Sequence, residues 1–405
     1  MIKIAVLGYG TVGSGVVEII NTNAKSIARR VGEEIGIKYV LDLREFPGDP
    51  VESVLVHDYT TILQDPEVRI VVETMGGVHP AYEFTKQALE AGKSACTSNK
   101  ELVAQHGVEL LETAKKHHAN YMFEASCGGG IPIIRAIQEA LTADEIDSVT
   151  GILNGTTNYI LTKMTQEGTE FSDALAEAQA NGYAERNPEA DVEGYDACRK
   201  IAILSSLAYE SHVDYTDVFT EGITKITATD IRYAKALGAS VKLLAFSRKS
   251  GNEVCAMVAP CLVRPDHPLY MVNDVFNAVL VHGNMIGDAM FYGSGAGRLP
   301  TASAVAADVV SCAKNLGVNI SVPGSGEMLH VLPAEEMQNA FFVRVAGDIE
   351  ARLPEITTLF GEVETLCGPH CDGEFGFVTE SMKESVFAEK ASRLDGIQNR
   401  IRVMW

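Results

Sequence analysis

Residues 2–20, IKIAVLGYGTVGSGVVEII, decide the fold. The apolar run IKIAVLG reads as a buried strand. Gly8-Tyr9-Gly10-Thr11-Val12-Gly13 follows it and opens a helix through Val16–Ile20. The first glycine permits a tight turn, the second lets the backbone approach a pyrophosphate, and the third lets helix and strand pack closely. A helix N-terminus then supplies positive potential for phosphates. Glycine occurs at many strand–helix turns, but a strand before and a helix after make this a dinucleotide-binding fingerprint. NAD or NADP is therefore the expected cofactor.

Working outward, the first ~130 residues keep alternating between strand and helix. IKYVLDL, RIVVETMGG, KSACTSNK and NYMFEAS read as further strands, with helices around Ala81–Ala91 and Leu102–His118. Continuous Val/Ile runs joined by helices imply parallel strands, hence a doubly wound α/β sheet. The acidic partner for the ribose should close the second strand, where Asp42 stands. It comes later than the usual spacing, which implies a longer first helix or loop. Arg44 offers the alternative contact, to a 2′-phosphate, so the sequence leaves NAD and NADP open. Ser98 and Lys100 lie at the carboxyl end of a strand, the side on which such sheets bind ligands.

Beyond Gly130 the pattern becomes α+β as far as about residue 318. IPIIRAIQEAL, TTNYILTKM, DALAEAQANGYA and DACRKIAILSSLAYE read as helices, and the stretch from Glu253 to Met290 as mostly strand. A turn-rich segment, about Val318–Ala334, reads as a linker to a tail of strand, helix, two strands, helix and strand. The expected domains are thus 1–130, 131–318 and 335–405.

The chain has 405 residues, 46% hydrophobic and 21% charged, and a formal net charge of −21. Nucleic acid and anionic membranes demand basic patches, so neither is expected as a partner. The N-terminus has no basic region or cleavage site of a signal peptide. Eight dispersed cysteines suit reduced thiols in a cytoplasm. Cys367-Gly-Pro-His-Cys371 reads as a turn between strands, since a metal site needs further ligands.

Residues 182–200, GYAERNPEADVEGYDACRK, place five carboxylates ahead of one lysine. In a helix starting near Asp191, Asp196 and Lys200 are four apart and share a face. Surface pairs of this kind are commonplace, but Ala197 and Ile201 lead this one into an apolar run, which implies partial desolvation. A lysine so placed can protonate or polarise a carbonyl oxygen, with the aspartate orienting it. Glu185 and Asp191 are then available for a substrate ammonium. Glu124-Ala-Ser-Cys-Gly-Gly-Gly-Ile-Pro admits two readings, an oxygen-ligated cation site or a domain hinge.

GYGTVG, TSNKELVA, FEASCGGGIPII, GILNGTTNYIL, the 182–200 run and YGSGAGRLPTASAV occur in that order and resemble the motifs of homoserine dehydrogenases. The resemblance covers residues 1 to about 318. It implies NAD(P)-linked interconversion of L-aspartate 4-semialdehyde and L-homoserine, a Rossmann domain, a catalytic and dimerisation domain, and an ACT-like tail. By position, Lys200 matches the catalytic lysine, Asp196 its partner, Glu185 and Asp191 substrate-binding acids, and Lys100 a lysine near cofactor and substrate. Glu124, with carbonyls around Cys127, Gly129 and Ile131, matches a monovalent-cation site, taken as sodium. Gly295 and Gly297 match a glycine loop that returns to the cofactor. A cytoplasmic homodimer or homotetramer in threonine, methionine and isoleucine biosynthesis is implied. IEARL follows Asp348 where a glycine usually supports an effector, so an ACT-like module that supports assembly, with a weak or absent threonine response, is expected. The rivals are a reductase of a related aldehyde and a non-catalytic amino-acid sensor.

Overall fold

The computed structural model describes residues 1–320, 327–367 and 373–404. Its first elements are β1 (Ile2–Leu7), α1 (Thr11–Thr22), α2 (Ala24–Val31), β2 (Ile35–Leu41), β3 (Leu55–Val56), α3 (Tyr59–Gln64), β4 (Val68–Glu73), α4 (Ala81–Glu90), β5 (Ser94–Thr97), α5 (Lys100–Lys116) and β6 (Tyr121–Met122). Then follow α6 (Ile133–Arg135), β7 (Ile146–Ile152), α7 (Gly155–Glu167), α8 (Phe171–Ala180), α9 (Glu189–Val192), α10 (Tyr195–Ala208), β8 (Phe219–Thr220), α11 (Ala228–Ala236), β9 (Ser240–Ser250), β10 (Glu253–Val263), β11 (Phe276–Gly283), β12 (Gly287–Ser294) and α12 (Arg298–Lys314). The chain closes with β13 (His330–Val331), β14 (Gln338–Ala346), α13 (Ile349–Phe360), β15 (Val363–Leu366), β16 (Glu374–Thr379), β17 (Met382–Lys383), α14 (Glu384–Ala391) and β18 (Ile397–Met404). Two compact units interleave along the chain. The first takes Met1–Asp144, Ile203–His212 and Gly293–Met328, and the second Glu145–Ala202, Val213–Tyr292 and Leu329–Trp405.

The first unit is built on a parallel sheet ordered β3-β2-β1-β4-β5-β6, the order of doubly wound dinucleotide-binding folds. Alternation along β1 sends Ile4 and Val6 to one core, with α1 and α12, and Ala5 and Leu7 to the opposite one. A Cβ on Gly15 would lie 2.8 Å from the Ala302 Cβ, so glycine is what lets α1 and α12 pack this closely. The long spacing before Asp42 is filled by a second short helix, because α1 breaks at Asn23 and α2 ends on left-handed Gly32.

The second unit is a mixed, twelve-stranded sheet whose main path runs β12-β11-β7-β9-β10-β18-β14-β16-β15. Sequence patterning misses β9, because Lys242 and Ser247 interrupt its apolar run. Both are nonetheless buried, and Lys242 Nζ donates to Val272 O at 2.6 Å and Asn273 Oδ1 at 2.9 Å. The tail keeps its expected order of strands and helices, yet β18 lies between β14 and β10, so these strands continue the larger sheet.

Two other local readings change. IPIIRAIQEAL gives only a short α6, continued by a π-helical turn over Ala136–Ala140. Asp191 sits on α9 rather than on the helix of Asp196, because Gly194, at φ +85°, breaks the chain between α9 and α10. Residues 321–326 of the expected linker and 368–371 of the Cys367–Cys371 turn lie outside the described residues. Among the described residues no helix is long and apolar enough to cross a membrane, and no cluster of His, Cys, Asp and Glu could hold a metal ion.

Candidate active site

In the first unit the three glycines divide their work as the fingerprint requires. Gly8 takes φ +91° at the turn. A Cβ on Gly13 would fall 1.9 Å from Gly8 O and 2.7 Å from Thr74 Oγ1, whereas one on Gly10 would meet nothing within 4 Å. Gly10 is thus the open position, where a pyrophosphate can approach, and Gly13 seals helix against strand. Thr11 and Val12 begin α1, whose N-terminal amides face the same turn. Asp42 follows β2 and accepts from Tyr9 N at 2.8 Å. Arg44 grips it through Nε at 2.9 Å and Nη2 at 2.8 Å. That bidentate grip holds the Asp42 carboxyl far below the usual carboxylate range. The Arg44 Cζ lies over the Phe46 ring, 5.1 Å from the ring centroid, and Phe46 packs edge-on against Tyr9. The two rival ribose contacts therefore form one paired unit.

Ser98 and Asn99 follow β5, and Lys100 is the first residue of α5, which Asn99 caps by accepting from Leu102 N at 3.1 Å. Glu73, at the end of β4, went unnoticed in the sequence because it reads as the polar end of a strand. It is fully buried, accepts from Thr97 Oγ1 at 2.5 Å and Met75 N at 2.7 Å, and burial raises its pKa.

Gly128 and Gly129 both take left-handed φ, +68° and +57°. A Cβ on Gly129 would lie 2.3 Å from Gly295 O, and Gly130 N donates to Ser294 O at 3.0 Å. The glycine run thus packs backbone to backbone against the loop holding Gly295 and Gly297. The Glu124 carboxylate accepts from Ile134 N and Arg135 N, each at 2.8 Å, and so serves the start of α6. Asp308 receives Glu124 N at 2.8 Å and Arg135 Nη2 at 2.7 Å. Burial, then the nearby Glu124 charge, pushes the Asp308 carboxyl up to about 8.

In the second unit Lys200 and Asp196 are both buried on α10. Lys200 Nζ donates to Asp196 Oδ2 and to Leu153 O, both at 2.8 Å. Two of the three ammonium protons are thereby directed by groups from separate segments. Asn154, which sequence reasoning passed over, completes the arrangement. Its Nδ2 donates to Asp191 Oδ1 at 2.7 Å and Asp196 Oδ2 at 2.8 Å, while its Oδ1 caps α7 by accepting from Thr157 N at 2.9 Å. The rest of ILNGTTN is equally committed. A Cβ on Gly155 would lie 2.7 Å from Val275 O, and Asn158 Nδ2 donates to the carbonyls of Val272, Asp274 and Phe276. Glu185 stands apart, exposed on the loop before α9, with its backbone carbonyl accepting from Gln179 at 3.0 Å.

A parallel sheet in this order, carrying an intact glycine turn, places the protein in the doubly wound dinucleotide-binding class. The particular family is set by comparison with known proteins: the chain belongs to the homoserine dehydrogenases, which act on a CH–OH group. It matches the homoserine dehydrogenase profile over residues 132–310 and the homoserine dehydrogenase NAD-binding domain over residues 8–124. The homoserine dehydrogenase of Bacillus subtilis (strain 168) is 43% identical over 368 residues, which cover 89% of this chain and 85% of that one. A homoserine dehydrogenase crystal structure from Thiobacillus denitrificans is 34% identical, with a TM-score of 0.92 over 100% of this chain and 98% of that one. A hyperthermophilic archaeal homoserine dehydrogenase solved in complex with NADPH is 29% identical, with a TM-score of 0.66 over 77% of this chain and 97% of that one.

Proposed function

We propose that Lys200 is the proton donor and acceptor in the interconversion of L-aspartate 4-semialdehyde and L-homoserine, in threonine, methionine and isoleucine biosynthesis. The observation that carries this role is a buried ammonium held at 2.8 Å by both a carboxylate and a main-chain carbonyl. Reduction of the aldehyde builds negative charge on its oxygen, and a fixed cation there stabilises the transition state more than the ground state. Lys200 then gives its proton to the alkoxide, and in the reverse direction the neutral amine takes it from the hydroxyl. Asp196 keeps the nitrogen aimed. Asp191 and Glu185 bind the substrate ammonium, and Lys100 stands near substrate and cofactor.

The bound nicotinamide, of NAD or NADP, supplies or accepts the hydride. Gly8, Gly10, Thr11, Val12, Gly13, Asp42, Arg44, Ser98, Lys100, Gly295 and Gly297 hold that cofactor. A monovalent cation, taken as sodium, would be held by main-chain oxygens of Glu124, Cys127, Gly129 and Ile131. Paired left-handed glycines curl this backbone, and the Glu124 carboxylate is already engaged by two amides, so main-chain oxygen is the fitting donor. Such an ion would fix the loop that meets Gly295. The enzyme works as a cytoplasmic dimer or tetramer, and its ACT-like tail responds weakly to threonine, as an L-threonine titration of the full chain checks.

Lys200→Met tests the central role. Turnover should fall by about 10²–10⁴-fold, the usual worth of acid–base assistance, with cofactor affinity unchanged. Near-normal turnover in that variant would remove Lys200 from the chemistry.

A further inference from the structure

The tail carries a buried charge cluster that the chemistry above does not use. Arg402, on β18, is 1% exposed and pairs in register with Cys261 of β10 and Phe341 of β14. Its guanidinium donates to Glu384 at 2.6 and 2.8 Å and to Glu221 Oε2 at 2.6 Å, over the ring of Phe219. Arg400 adds a second contact to the same Glu221 oxygen at 3.2 Å. Burial alone would raise the Glu221 carboxyl, but Arg400 and Arg402 together hold it below the ordinary range. Buried ion pairs stabilise no better than apolar side chains of equal volume, whereas breaking one leaves an uncompensated charge. A reason beyond stability is therefore called for.

Glu221 supplies one. Its amide donates to Val258 O at 2.8 Å, which fixes the segment to β10. The next residues support the acid-bearing loop directly. Ile223 N donates to Val192 O at 2.8 Å. A Cβ on Gly222 would fall 2.2 Å from that oxygen and 2.5 Å from Glu193 Cα. From the loop's side, left-handed Gly194 would bring a Cβ within 3.1 Å of Thr220 Cγ2. A Cβ is excluded at Gly222 and would crowd Thr220 and Val258 at Gly194, so loop and support lie in close contact on both sides. Asp191 immediately precedes Val192, and its carbonyl accepts from Gly194 N at 3.0 Å. Through Gly194 the same contact sets where α10 begins, and with it Asp196 and Lys200.

We propose that Arg402 and Arg400, acting through Glu221, are positioning residues for the substrate-binding acid loop, so the last strand belongs to the catalytic apparatus. This rests on the reading of Asp191 as a ligand of the substrate ammonium. Displacing Glu221 releases the floor under Val192–Gly194 and turns Asp191 away from its partner.

Steady-state kinetics of the full chain with L-homoserine, on Arg402→Met, Arg402→Lys, Glu221→Gln and Asp191→Asn, test it. Arg402→Met and Glu221→Gln should raise the homoserine KM about tenfold while the cofactor KM stays within about twofold, and Arg402→Lys should recover part of the loss. Equal changes in both KM values, or a lowered melting temperature with neither KM changed, overturn the proposal. Should Arg402→Met fail to fold, the isosteric Glu221→Gln decides alone. If Asp191→Asn raises the homoserine KM and Glu221→Gln does not, the clamp fails and the site stands. If Asp191→Asn leaves it unchanged, the acid-loop reading fails, and the clamp with it.

Discussion

Replacing Asn154 by serine separates two jobs that one side chain performs. The amide oxygen caps α7 through Thr157 N, and the amide nitrogen bridges Asp191 and Asp196 at 2.7 and 2.8 Å. Serine caps a helix about as well as asparagine, so the first job survives. A single short hydroxyl cannot also reach both carboxylates. Each hydrogen bond to a charged group contributes about 1.5–3 kcal/mol. Asp196 Oδ2 is also the oxygen that Lys200 grips, so the loss falls on the aim of the ammonium. At about 1.36 kcal/mol per factor of ten, kcat/KM for homoserine should drop roughly ten- to a hundredfold. Initial rates followed by nicotinamide absorbance, beside thermal melts of wild type, Asn154→Ser and Asn154→Ala, measure both jobs. The alanine variant should lose a further ~1 kcal/mol of stability with its cap. Wild-type kcat/KM in Asn154→Ser, with only the alanine variant destabilised, would show that Asn154 caps a helix and does nothing for Lys200.

The remaining expectations concern cofactor choice and pH. Asp42→Ala frees Arg44 from its bidentate partner and should move the NADP-to-NAD preference toward NADP, while Arg44→Ala should move it the other way; unchanged ratios in kcat/KM for both would place the selecting residues elsewhere. Burial lowers the Lys242 pKa from 10.5 to about 8, so between those values the unfolded chain binds more protons than the folded one. Stability from this site should therefore rise with pH across that window, by on the order of 3 kcal/mol, and Lys242→Met should flatten the rise in denaturant midpoint between pH 8 and 10.5.

What was legible in the sequence was local. Gly8, Gly10 and Gly13 are dictated by backbone sterics within one turn, so the fingerprint alone assigns each its task. Asp196 and Lys200 are four apart on one helix, a spacing that needs no tertiary knowledge. Asn154 escaped because a capping asparagine and a bridging asparagine look alike in sequence. Its carboxylate partners come from the segments at 191 and 196, and only folding joins them to it. The break at Gly194 escaped for a related reason. Glycine there answers to Thr220 and Val258 rather than to its neighbours in the chain, and a lone glycine within a helical pattern does not by itself mark a break.

The tail shows the same limit at longer range. Its order of strands and helices follows from alternating apolar residues, which is why FFVRVAG and RIRVM read correctly as strands. The partners of a strand are another matter, because an edge offers the same backbone donors and acceptors whichever chain segment fills it. β18 takes β14 on one side and β10 on the other, and β10 is the strand to which Glu221 is tied. The arginines on β18 then become interpretable. In sequence, Arg400 and Arg402 are two charges near a chain end, the usual mark of a solvated strand. In the sheet, Arg402 is buried between two acids, one of them next to the residues that support the acid loop. A ligand or partner that shifted β18 would shift Glu221 as well, and the lysine–aspartate pair would feel it without any contact of its own. Were an effector to bind the tail, its effect would need no hinge, since β18 already lies in the sheet to which Glu221 is tied.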